Sequence, residues 1–107
     1  MRKIYSRKNF FKKSPKVQAA IKDLKERILS KYPEAKFNVF YESPDPCDPN
    51  MILIDTIVDL EDPDEVGDFV LDRELYYQLE EKIPISVIPL RTPERVLAEM
   101  QARKMTP

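Results

Sequence analysis

Histidine is absent from all 107 residues, and glycine and cysteine occur once each, as Gly67 and Cys47. Without histidine the chain lacks the commonest general base, every Ser-His or Cys-His nucleophile pair, and most zinc chemistry. A lone cysteine makes no zinc cluster and no internal disulfide, so a reducing cytoplasm is the expected compartment. One glycine makes neither a P-loop nor a dinucleotide fingerprint, because both need several glycines for close approach to phosphate. Long apolar runs are missing too: none approaches the ~20 residues of a membrane helix. The basic start is not followed by the apolar segment and cleavage site of a secretory signal.

What is present describes a globular domain. The length points to a single domain with one modest core, and the content of 42% hydrophobic and 35% charged residues fits a soluble fold. The net charge of −1 conceals a segregation. Residues 1–16 hold seven bases and no acid, whereas residues 42–74 hold twelve acids and one base, Arg73. The expected organisation is a basic arm over residues 1–13 and one α+β domain over 14–107.

Three helix starts share one chemistry. Ser14-Pro15, Asp62-Pro63 and Thr92-Pro93 each place a capping oxygen before a proline, which suits the first helical position. Glu65 completes a capping-box pattern with Asp62. Val17, Ile21, Leu24, Ile28 and Tyr32 predict a helix over about 15–32, stopped by Pro33. A second helix is predicted from Pro63 to about Lys82, with an apolar stripe wide enough to meet another helix or a second subunit, and Gly67 in it suggests close packing. A third, from Pro93 to about Arg103, is expected to bury Val96, Leu97 and Met100. Strands are predicted at 36–42, 51–59 and 85–90. The stretch 43–50, with three prolines, reads as a stiff loop. The order is α-β-β-α-β-α: a small three-stranded mixed sheet with an antiparallel hairpin, a right-handed parallel crossover and helices on one face. Its exposed edges invite edge-to-edge or face-to-face dimerisation.

Seven carboxylates crowd residues 52–70, in "ILIDTIVDLEDPDEVGDFV". Strand alternation turns Ile52, Ile54, Thr56 and Val58 to the core and Asp55 and Asp59 away from it. Those two aspartates are roughly 13 Å apart at strand rise, too far to share a metal ion unaided. Asp62, Asp64 and Glu65 fall in the first turn of a helix, where the dipole favours acids. The spacing is not that of an EF-hand. No catalytic, cofactor-binding or metal-binding residue is assigned.

The segment "ILIDTIVDLEDPDEVGDFVLDRELYYQLEEKIPISVIPL" resembles the second half of a minimal nucleotidyltransferase domain, over about 40 of the 107 residues. The resemblance implies an aspartate-bearing strand, a helix, and a strand carrying a third carboxylate. Asp55 matches the first aspartate of the family's D-x-D pair, but Ile57 stands at the second and Ser86 at the third carboxylate, and "SPDPCDPN" replaces the Gly-Ser turn. Phosphoryl transfer by two metals needs those carboxylates, so the resemblance implies the fold without the chemistry. Residues 24–96 also resemble small uncharacterised bacterial α+β proteins, a likeness that implies no activity.

The arm interleaves Arg2, Lys3, Arg7, Lys8, Lys12 and Lys13 with Ile4, Tyr5, Phe10 and Phe11. Such a mix suits phosphate backbones and stacked bases, or an anionic membrane surface, and otherwise makes a solvated tail or an arm laid on an acidic surface of its own or a partner subunit, with Phe10 and Phe11 as anchors. The overall charge, which is not basic, favours a solvated tail or an acidic surface over nucleic acid and membrane. Tyr76 and Tyr77 read as core or interface, Arg91 and Arg95 as partners of the acidic segment, and Cys47, among acids, as unreactive. The candidate interaction residues are thus Arg2, Lys3, Arg7, Lys8, Phe10, Phe11, Lys12, Lys13, Asp55, Asp59, Tyr76 and Tyr77. The expected function is that of a non-enzymatic, homodimeric, cytoplasmic protein-association domain of bacterial type, without cofactor or membrane contact. The alternatives are a nucleic-acid-associated, antitoxin-like regulator using the arm, and a degenerate nucleotidyltransferase-like domain that binds a nucleotide.

Overall fold

The structure, a computed structural model, describes residues 14–41 and 51–105. The arm residues 1–13, the proline-rich connector and Cys47 lie outside the described residues. The elements are α1 (Pro15–Lys31), β1 (Lys36–Phe40), β2 (Ile52–Val58), α2 (Asp64–Leu79), β3 (Ile85–Arg91) and α3 (Pro93–Met105). The order α-β-β-α-β-α and the mixed three-stranded sheet are those the periodicity predicts. β2 is central, antiparallel to β1 and parallel to β3.

The caps form where the Ser/Asp/Thr-Pro pairs place them. Ser14 Oγ accepts from Val17 N at 3.4 Å and Thr92 Oγ1 from Arg95 N at 3.4 Å. Asp62 Oδ1 accepts from Asp64 N at 3.1 Å, from one residue ahead of Pro63, which holds the N-cap position of α2.

The core lies between one sheet face and two helices. Val17, Ala20, Ile21, Leu24 and Ile28 of α1 and Val66 and Val70 of α2 pack against Ile52, Ile54 and Val58 of β2 and Ile85 and Val87 of β3. β2 alternates buried and half-buried along its whole length, as its pattern requires. Thr56, on the core side, directs its hydroxyl to Ile54 O at 3.2 Å, which satisfies the buried donor. Gly67 faces β3: a Cβ there would meet Pro89 Cγ at 3.4 Å.

One expectation fails. α3 leaves Val96, Leu97 and Met100 exposed, Leu97 by 57%, instead of burying them. The helix extends beyond the carboxyl end of β3 and is held by ion pairs: Arg91 Nη1 reaches both Glu99 oxygens at 2.8 and 2.9 Å, and Arg95 Nε reaches Asp59 Oδ1 at 2.5 Å. α1 and α2 fill the core face of the sheet, and no residue of α3 enters that core.

Candidate interaction surfaces

The carboxyl ends of parallel strands are where open α/β sheets place ligands. Here that end carries an open cleft of about 500 Å³, bounded by Lys36, Ile57, Asp59, Thr92 and Glu94, and beside it a second of about 320 Å³ under Tyr32, Pro33 and Leu60. Asp59 borders both. Its carboxylate is engaged by Arg95, and Arg91 donates to Glu61 O at 2.7 Å as well as to Glu99. The arginines of "PLRTPER" thus meet the acidic segment and tether α3. Tyr32 contributes a buried hydroxyl with no hydrogen-bond partner among the described residues. Among the described residues no three carboxylate, thiol or imidazole groups converge as metal ligands.

Among the described residues, no element covers the sheet face away from the helices. Register places Lys36, Asn38 and Phe40 beside Ile57, Asp55 and Leu53, and these beside Leu90, Ile88 and Ser86. Asp55 lies at the centre of this face, next to Asn38 in the ladder and half-buried. Phe40 is 49% exposed and Leu90 38%. Asp55 and Asp59 therefore part company: one sits on a sheet face of mixed polar and apolar residues, the other at a strand end in an ion pair.

The outer edge of the sheet at β3 is met by side chains of α2. Pro84 O accepts from Ile52 N at 2.6 Å, so residues 85, 87 and 89 direct their backbone groups outward, away from β2. α2 meets them. Gln78 Nε2 donates to Ile85 O at 2.7 Å, Glu74 Oε1 accepts from Val87 N at 2.9 Å, and Pro89 has no N–H to offer. The β3 edge is thereby sealed against strand addition. Glu74 is buried at the i+8 position of the line Val66–Val70–Glu74. Sequence reasoning passed over it, although a carboxylate in register with two core valines was the available signal.

The tyrosine pair splits in role. Tyr77 donates to Asp23 Oδ2 at 2.5 Å, and Arg73 and Arg27 stand 3.5 and 3.6 Å from the same carboxylate. This cluster locks α2 to α1. Burial, then the bond to Asp23, push the Tyr77 phenol up to about 12. Tyr76 is exposed. It donates to Glu81 Oε1 at 3.1 Å, and that bond raises its pKa. Glu81 is in turn held below its ordinary value, first by Lys16, whose Nζ is 2.7 Å away, and then by Tyr76.

The wide stripe of α2 is divided among these tasks. Phe69 and Tyr77 turn to α1, Phe69 edge-on to Tyr32 at 6.0 Å between ring centroids. Leu71, Leu75 and Leu79 point outward and are exposed. The candidates Arg2, Lys3, Arg7, Lys8, Phe10, Phe11, Lys12 and Lys13 lie outside the described residues. No helix among the described residues is long and apolar enough to cross a membrane. No family model, curated protein or solved structure matches the chain.

Proposed function

We propose that the chain is a non-enzymatic association domain that pairs with a second copy of itself through its open sheet face. The observation that carries this is a sheet side that no element among the described residues covers, on which Phe40, Leu53, Ile57, Ile88 and Leu90 stand among Lys36, Asn38, Asp55 and Ser86. A face of this kind has a driving force for burial. The sealed β3 edge favours face-to-face over edge-to-edge pairing at that side. Lys36 and Asp55 share the face, and a two-fold arrangement lets each copy offer its lysine to the other's aspartate.

Size limits the geometry. Strands of five, seven and seven residues present roughly 14 × 21 Å, about 290 Å² in projection. A stable interface takes about 800 Å² from each partner. The sheet alone falls short, so α3, whose first turn borders the same face, must add Val96, Leu97 and Met100.

Sedimentation velocity over a concentration series tests the proposal. The expected outcome is a dimer for the native chain and a monomer of unchanged far-UV circular dichroism for Leu90→Arg. A native chain that stays monomeric at every concentration refutes it. A dimer untouched by Leu90→Arg moves the interface elsewhere.

A further inference from the structure

The outer side of α2 is both apolar and acidic. Leu71, Leu75 and Leu79 follow one another at i, i+4 and i+8, with Leu79 62% exposed. Asp68 and Asp72 flank that line, and Asp64, Glu65 and Glu80 lie at its ends, all exposed. The helix's one base, Arg73, is turned to α1 and held at Asp23. This face therefore presents no positive charge of its own.

The chain contains a segment of the opposite character. Residues 1–13 carry six bases, no acid, and Ile4, Tyr5, Phe10 and Phe11. The point where they join the domain is fixed: the Lys16–Glu81 ion pair, at 2.7 Å, sets the first turn of α1 beside the end of α2, two residues past Leu79. The root of the arm thus stands at the foot of the leucine line. The 16 residues of α2 span roughly 24 Å, while a 13-residue segment reaches up to about 43 Å. Its reach covers the whole line.

We propose that residues 1–13 dock in the same chain along Leu71, Leu75 and Leu79, with Phe10 and Phe11 on the leucines and the bases against Asp68 and Asp72. The site lies on the side of the molecule away from the open sheet face, so it stands or falls independently of self-pairing. It assigns the arm's positive charge to an internal partner rather than to nucleic acid.

Paramagnetic relaxation in the full-length chain tests this. A nitroxide is attached to Tyr5→Cys in a Cys47→Ser background, and leucine methyl signals are recorded. The expected result is broadening at Leu71, Leu75 and Leu79, with Leu53 and Leu90 unaffected. Asp68→Lys with Asp72→Lys, both at exposed positions, should restore the broadened signals. A mixture of spin-labelled unenriched chain with isotope-enriched unlabelled chain should show no broadening. Sharp signals along α2 in the labelled chain overturn the proposal, as does broadening centred on Leu53 and Leu90. Broadening that persists after charge reversal overturns the role of charge, and broadening in the mixed sample shows docking between chains.

Discussion

Glu74→Ala removes the one acceptor that Val87 N has at the outer edge of β3. The bond is 2.9 Å long, buried, and made to a carboxylate. Hydrogen bonds to charged groups contribute ~1.5–3 kcal/mol, and stranding a buried N–H costs a similar amount, so a loss of about 2 kcal/mol is expected. Urea unfolding followed by circular dichroism reads it, at one protein concentration for all variants because pairing would couple to stability. In a domain of this size the melting temperature should fall by roughly 10 °C. Glu74→Gln keeps an acceptor in place and should lose less than half as much. Hydrogen exchange supplies a local readout: the Val87 amide, protected in the native chain, should exchange faster in the alanine variant than its loss of global stability explains. The unsealed edge should also make Glu74→Ala more prone to aggregate. If alanine and glutamine variants unfold at the same urea concentration as the native chain, Glu74 does not seal this edge and the account of β3 is wrong.

Further outcomes are expected elsewhere. Gly67→Ala should stabilise the domain by up to about 1 kcal/mol in the same urea assay, since alanine is the better helix former and its methyl would meet Pro89 Cγ at ordinary contact distance. A loss of stability there would mean Pro89 cannot accommodate the methyl. The raised Tyr77 pKa favours the neutral phenol in the folded state. Its contribution is therefore complete below pH 10.0, the unfolded value, and is lost as pH rises to about 12. Thermal melts over that range should show a steeper alkaline decline in the native chain than in Tyr77→Phe, and equal slopes would contradict this. Arg95→Ala should raise hydrogen exchange along α3 while costing less than about 1 kcal/mol of global stability, because its ion pair with Asp59 is largely exposed.

The sheet and its helices were legible because their signals are local. Alternation in β2, the i, i+4 recurrence in α1 and the capping oxygens before Pro15, Pro63 and Pro93 each specify a nearby geometry. The fate of α3 was not legible. Its Val96, Leu97 and Met100 have the spacing of a buried stripe, but whether a surface is free to receive them depends on the placement of the other two helices. Asp55 and Asp59 show the same limit. Alternation puts both away from the core, and only the position of Arg95 after β3 separates an ion-paired aspartate from one on an open face. The Val66–Val70–Glu74 line marks Glu74 as buried, but its role as an acceptor depends on the Val87 N–H thirteen residues later, which local pattern does not reach.

The proposed association through this sheet face is tested most directly by isotope-filtered nuclear Overhauser spectra of an equimolar mixture of enriched and natural-abundance chains. Cross-peaks between copies are expected from the methyls of Ile57, Ile88 and Leu90 to apolar protons of the same face, the Phe40 ring among them. They should be absent for Leu71 and Leu75 on the far side of the molecule. Cross-peaks confined to α2, or none at concentrations where the chain sediments as a dimer, would contradict it.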